Sequence, residues 1–298
     1  MKELHVPGLK IRVPDGSAFA VETKPLMPKL HTLCCIVGKR GSGKMVCTIN
    51  MINNLPIDRL FLISPSAHSN SGALDKLKKI LSPEDTYSNV NDISILADIV
   101  SKVEAEAADF EQYHTKMKSW RASHAKVHSN TPLFSIQDDD YITYDAGPPK
   151  HKWGGRRPVL MLFFDDIVGS QLMLGRGQRE VARLCLIHRH LGQLKDPKTP
   201  GAIGLSMLFN VQAFRSNAGS LPPALRNNLT LLCLFKTSSS KELDDVYESI
   251  SGDISLSQFQ SVCASAWREP HDFLLIDFHP KPNHPSRFRR NFDTFLLP

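Results

Sequence analysis

Short, mostly continuous apolar runs punctuate the chain at 33–37, 60–63, 159–164, 205–211, 229–235 and 273–278. Runs without polar alternation predict strands buried on both faces, which helices must then cover. Between several of these runs the apolar positions recur at helical spacing. Leu243, Val246, Tyr247 and Ile250 follow Ser239 and Glu242, a capping-box pattern, and Phe259, Val262, Cys263 and Ala266 follow Ser255 and Gln258 in the same way. Val181, Leu184, Cys185 and His188 mark a third amphipathic helix. Strands alternating with helices predict an α/β fold, a mostly parallel sheet flanked by helices.

The stretch 65–157 has a different pattern and reads as a helical insertion with a mobile loop, inside a single domain that spans 1–298. Leu74, Leu77 and Leu81 predict a short helix, and 94–128 predicts a long one. The first half of the long helix carries Asp98, Glu104, Glu106, Asp109 and Glu111; the second carries Lys116, Lys118, Arg121 and Lys126. Acid first and base last complements a helix dipole, so a solvated helix explains the charges. A basic finger on DNA phosphates is the alternative. After it, 137–157 runs from Asp138–Asp140 through Gly147, Pro148 and Pro149 to Lys150, Lys152, Arg156 and Arg157, and reads as a mobile linker on the rim of the sheet.

Composition narrows the classes. The 298 residues hold 41% hydrophobic and 22% charged positions, enough for a large core and too apolar for a disordered chain. The 36 Lys+Arg against 30 Asp+Glu leave a net charge of +6, which suits a nucleic-acid partner without fixing a fold. Apolar runs this short predict no membrane span, and the opening segment MKELHVPGLKIRV has no apolar core for a secretory signal. None of the six cysteines forms a CxxC pair, so buried reduced thiols are expected. Cys185, His188 and His190 share one helix without a partner pair, and His124 and His128 have no acid or thiol nearby, so no metal site is assigned to either group. No serine sits in a GxSxG elbow.

The most informative stretch is LCCIVGKRGSGKMVCTINMI. Gly38, Lys39, Arg40, Gly41, Ser42, Gly43 and Lys44 satisfy GxxxxGK, in which backbone N–H groups curl around phosphates and the lysine reaches the β/γ oxygens. Composition alone would produce that pattern in about one chain in ten of this length. An apolar strand before it and a helical pattern after it (Val46, Ile49, Ile52) make it a phosphate loop. The next position is Met45, where such loops place a Ser or Thr hydroxyl as a magnesium ligand. A thioether does not replace a hydroxyl on a hard cation, so Mg²⁺ keeps another water, or hydrolysis is slow, or the methionine stands in place of a native residue.

A second element, PVLMLFFDDIVG, is an apolar strand ending in Asp165 and Asp166, at the edge where α/β sheets bind ligands. Asp165 is expected to hold Mg²⁺ and Asp166 to polarise the attacking water. The strand over 205–211 ends at Gln212, placed to orient water or sense the γ-phosphate. Arg189, Arg215 and Arg226 are candidates for an arginine reaching a neighbouring subunit's nucleotide, with Arg226 preferred.

GKRGSGK, FFDDIVG, IHRHLG, LFNVQAF, PPALRNN and HDFLLIDFHP…RFRRNFD occur in that order. In this order the chain resembles the genome-packaging ATPases of nucleocytoplasmic large DNA viruses and their virophage-like relatives, within the FtsK–HerA superfamily. The likeness spans 33–293, with the long helical middle least matched. It implies a RecA-like P-loop core with Lys44, Asp165, Asp166 and Gln212 in the nucleotide site, using ATP and Mg²⁺. It also implies a ring-shaped homo-oligomer, a pentamer or hexamer, that moves double-stranded DNA at a capsid or portal vertex, in the host cytoplasm or virion. Lys116, Lys118, Arg121, Lys150, Lys152, Arg156 and Arg157 are the expected DNA contacts. Two alternatives stand beside this reading: another DNA pump or helicase-like motor of the superfamily, and a nucleotide-binding assembly protein that does not hydrolyse.

Overall fold

The computed structural model describes residues 21–67, 71–128, 135–196, 200–215, 221–250 and 254–298. The opening segment weighed above for a secretory signal lies outside them. All six apolar runs become strands within two residues of expectation: β1 (Leu33–Val37), β2 (Arg59–Ile63), β4 (Leu160–Asp165), β5 (Ser206–Val211), β6 (Leu231–Phe235) and β7 (Phe273–Asp277). Three strands lack such a run: β3 (Thr86–Tyr87), β8 (Phe288–Arg290) and β9 (Thr294–Leu296). All nine form one sheet in the order β3-β2-β4-β5-β1-β6-β7-β8-β9. Pairing is parallel from β3 through β6 and antiparallel from β6 to β9. Every residue of β1, β4, β5, β6 and β7 is buried, as a doubly covered sheet requires.

Two apolar layers flank the sheet. Alternate β1 residues divide between them: Cys34 and Ile36 face one layer, Leu33, Cys35 and Val37 the other. The first layer is covered by α1 (Lys44–Asn54), through Cys47, Ile49, Met51 and Ile52, and by α2 (Ser71–Leu74). The second is covered by α3 (Ser94–His128), α5 (Gly175–Ile187), α6 (Pro223–Asn227), α7 (Ser240–Glu248) and α8 (Leu256–Ala266). The capping-box reading holds in full at Ser255 and by half at Ser239, where the Glu242 carboxylate accepts from the Phe214 amide instead. Ser239 accepts from the Glu242 amide, and Ser255 and Gln258 satisfy each other's backbone amides reciprocally. This mostly parallel, doubly covered sheet is an α/β core of the RecA-like type. No helix among the described residues is long and apolar enough to cross a membrane.

The long helix starts and ends where its sequence pattern does, at Ser94 and His128. Its 35 residues make a rod of about 52 Å. Ile95, Leu96, Ile99, Val103, Ala107 and Phe110 bury the first half against the sheet layer. The second half buries only Ser123. The segment 137–157, expected to be a loop, contains a helix. Asp138–Asp145 form α4, with a capping box between Gln137 and Asp140, and Asp140 takes hydrogen bonds from Ser123 and Lys126 of α3. The rest of the segment is pinned by Lys152 and Trp153 on Glu106, and by Arg156 on Asp58. Proline, glycine and charge suggested a loop there, but Asp140, Lys152 and Arg156 each meet a partner on another element.

Candidate nucleotide-binding site

At the C-terminal ends of β1, β4 and β5 a cleft of about 730 Å³ opens, lined by Lys39 through Val46, Ser66, Asp165, Asp166, Asn210, Val211 and Gln212. That volume lies within the range of small-molecule sites. The loop after β1 turns sharply into α1. Gly43, its N-cap, has φ 101°, a left-handed value that a side chain would strain. A Cβ on Gly38 would come within 2.9 Å of the Phe235 Cβ, so only glycine lets the loop lie this close to β6. No side chain caps α1 and no acid occupies its first turn, which leaves its amide donors and positive dipole end facing the cleft.

Lys44 donates to the carbonyls of Gly38 and Lys39, which hold its ammonium over the loop. Burial pulls its pKa below the ordinary lysine value, against the opposing pull of Asp166 and Asp165. A partly desolvated cation of this kind interacts strongly with a phosphate that enters the same cleft. Met45 lines the cleft and packs against the α1-side core, and supplies no oxygen.

Asp165 is 8% exposed. Burial raises its pKa, and hydrogen bonds from Asn210 and Ser64 offset part of that rise. The register sets Asn210 of β5 directly beside Asp165 of β4. A relay follows: Thr48 Oγ1 donates to Asn210 Oδ1 at 2.9 Å, and Asn210 Nδ2 donates to Asp165 Oδ1 at 3.3 Å. From the other side Ser64 Oγ donates to Asp165 Oδ2 at 3.1 Å. Both oxygens of Asp165 are therefore fixed in direction. The carboxylates of Asp165 and Asp166, with the hydroxyl of Ser66, line the cleft as hard oxygen donors of the kind Mg²⁺ takes, and Ser64 behind them holds Asp165 in place.

Asp166 breaks the backbone rule for its type. Its φ of 51° is left-handed, which costs about 1 kcal/mol or more in a residue with a Cβ. That turn carries its exposed carboxylate into the cleft, where Gln212 Nε2 donates to Oδ1 at 3.3 Å. Asp166→Gly is expected to raise stability by about 0.5 kcal/mol, because glycine relieves the strain but loses more chain entropy. If Asp166 is the general base, as proposed below, turnover falls by about 10²–10⁴-fold as well. Denaturant unfolding and steady-state hydrolysis together check this; lowered stability with normal turnover would contradict it.

The structure thus gathers Gly38 to Met45, Asp165, Asp166 and Gln212 at one site. Arg226 is not among the cleft-lining residues of its own chain. It sits half-buried on α6, and burial and the nearby Arg215 lower its pKa. Arg215 is held by Asp245 at 2.6 Å and Glu248 at 3.1 Å, and Arg189 lies in a hollow at the opposite edge of the sheet. Of the expected DNA contacts, Lys116, Lys118, Arg121 and Lys150 are exposed. Lys152 pairs with Glu106, Arg156 forms a two-pronged pair with Asp58, and Arg157 donates to the Pro200 carbonyl at 2.8 Å. Sequence reading missed Thr48, Ser64, Ser66 and the role of Asn210. Two signals were available: Asn210 lies two residues before Gln212 on the same strand face, and Thr48 lies four residues after Lys44 on one helix face.

No family model matches the sequence, and no curated protein matches it. Similar solved structures include the genome packaging NTPase B204 from Sulfolobus turreted icosahedral virus 2 in complex with ATP-gammaS. It is 13% identical with a TM-score of 0.42, over 89% of this chain and 98% of that one. B204 from Sulfolobus turreted icosahedral virus, described as a DNA-packaging ATPase, is 14% identical with a TM-score of 0.45, over 85% and 98%. The cytoplasmic domain of the type VII secretion ATPase EccC from Thermomonospora curvata is 15% identical with a TM-score of 0.41, over 88% of this chain and 25% of that one.

Proposed function

We propose that this chain is an ATP-driven motor that moves double-stranded viral DNA into a preformed capsid. One observation carries the nucleotide half of the reading: a glycine loop, Lys44 and an α-helix N-terminus face a strand-end pair of carboxylates across one cleft. The loop amides and Lys44 bind the phosphates, and Lys44 neutralises charge on the β/γ oxygens. Asp165, fixed by Asn210 and Ser64, is the residue that would hold Mg²⁺, which when bound neutralises phosphate charge. Asp166 accepts a proton from the water that attacks the γ-phosphorus, and ATP is cleaved to ADP and phosphate. Gln212 bonds Asp166 and reports the state of the cleft to β5.

The DNA half rests on the order of motifs and on charge. Lys116, Lys118, Arg121 and Lys150 present cations that make no hydrogen bond or ion pair among the described residues, as phosphate contacts require. Arg226 of one subunit would complete the nucleotide site of the next in a ring-shaped homo-oligomer. The site of action would be the capsid vertex, in infected cytoplasm or the virion. Particles assembled without the protein are expected to be complete in shell and empty of DNA. Full particles would instead assign the chain to another DNA pump of the same superfamily. A reading as an assembly protein that binds nucleotide without hydrolysing it has one observation in its favour, the thioether of Met45 at the metal position.

A further inference from the structure

The helix that follows the two carboxylates carries charges the site does not use. Beginning nine residues after Asp166, α5 reads GRGQREVARLCLI. Val181, Leu184 and Cys185 bury its inner face. Arg176, Arg179 and Arg183 are exposed on the outside, and Arg189 is exposed just beyond the helix end. Only one acid belongs to this helix, Glu180, which pairs with Arg183 at 3.0 Å. Arg176, Arg179 and Arg189 make no hydrogen bond or ion pair among the described residues.

The row has a direction. At its start, Arg176 and Arg183 wall a groove of about 390 Å³ against Ser94, Ala97 and Val100 of α3, near the nucleotide edge of the sheet. At its end, Arg189 and His190 line a hollow of about 440 Å³ together with Arg157 and His31. His31 precedes β1, so this hollow lies at the opposite edge. The 13 residues of α5 span about 20 Å; Arg176, Arg179 and Arg183 follow one another at about one helical turn, and Arg189 lies six residues further on, just past the helix. A duplex presents one phosphate charge per about 1.7 Å of its axis, so about a dozen lie along such a length. Repeating anionic charge matches a repeating cationic row, whereas a single acidic side chain would use one arginine. We infer that the exposed arginine row of α5 (Arg176, Arg179, Arg183 and Arg189) is a docking track for the phosphate backbone of duplex DNA, running from the nucleotide edge of the sheet to its opposite edge. The inference rests on the motor reading and extends it. It places a DNA contact on the element joined directly to Asp165 and Asp166, distinct from the distal half of α3.

The test uses the full chain and a fluorescent 30-base-pair duplex, with binding measured across a salt series. Arg176→Gln/Arg179→Gln/Arg183→Gln is expected to reduce the slope of log affinity against log salt by about 2–3, and to weaken binding about 10²-fold near 0.1 M salt. Should the triple variant unfold, Arg179→Gln alone decides, with an expected slope change of about 1. Unchanged slope and affinity would overturn the assignment. Leu174 and Leu186, 41% and 59% exposed, flank the row, so solution mass is measured in parallel. A drop in oligomeric mass with unchanged duplex affinity would make the row a contact between copies and overturn the track. A wild-type chain that hydrolyses ATP but binds no duplex would overturn it too, and would leave the nucleotide half of the motor reading intact.

Discussion

Lys44→Ala is expected to lower ATP turnover about 10²–10³-fold, the loss typical when one preorganised charge donor is removed from a developing oxyanion. The ammonium is placed by the carbonyls of Gly38 and Lys39 and partly desolvated, so its interaction with phosphate is stronger than in open water. Alanine leaves those carbonyls at a cleft open to solvent and favours helix, so the melting temperature should stay close to wild type. Single-turnover hydrolysis, read beside thermal melting, checks both statements. Normal turnover would remove this cleft from the chemistry.

The largest effect on stability is expected at Arg59, far from the cleft. Its guanidinium bonds Asp85 at 2.7 and 2.8 Å and Glu106 at 2.9 Å, and those carboxylates are only 2% and 1% exposed. Burial alone would raise the pKa of both acids. For Asp85 the bonds from Arg59 and Lys102 outweigh it, and for Glu106 those from Lys152, Trp153 and Arg59 do, so both lie below the ordinary carboxylate range. Arg59→Met should cost about 3 kcal/mol at pH 7, since it strands buried charge beside neutral packing. The sign with pH follows. Lowered carboxylate pKa values give stability that is present above about pH 4 and lost as pH falls through the folded-state values. The gap between Arg59→Met and wild type should therefore be full at pH 7 and shrink toward pH 3. Urea unfolding at both values measures it, and a gap independent of pH would contradict the ion-pair explanation.

Arg59 also marks where sequence reading stops. The central strands were legible because each is a largely apolar run without polar alternation, as a doubly covered strand requires. The bounds of α3 were legible because its first half keeps helical spacing and its second half holds good helix formers. By contrast, β3, β8 and β9 are two or three residues long, and their apolar content is set by neighbours in the sheet. The helix α4 buries no side chain, so DDDYITYD offers no stripe to detect. Lys152 and Arg156 looked like free cations for DNA because their partners, Glu106 and Asp58, lie 46 and 98 positions away.

The candidate site divides along the same line. The phosphate loop and the Asp165–Asp166 pair are contiguous in sequence, and each carries its chemistry within a dozen residues. The relay that aims Asp165 is assembled from Thr48, Ser64 and Asn210, on three different elements. Asn210 and Thr48 carry only the weak signal of spacing from Gln212 and Lys44, and Ser64 carries none until the sheet register brings the three together. The left-handed backbone at Asp166 is likewise invisible in the apolar run that precedes it.

Met45 is where the central claim is most exposed. Asp165, Asp166 and Ser66 line the cleft with hard oxygens without it, so hydrolysis should survive its thioether and improve when a hydroxyl is restored. The decisive measurement is ATP hydrolysis by the full chain with Mg²⁺, with and without duplex DNA, for wild type and Met45→Ser. The account predicts duplex-stimulated hydrolysis in wild type and faster hydrolysis in Met45→Ser. No hydrolysis in either protein, with or without duplex, would contradict it.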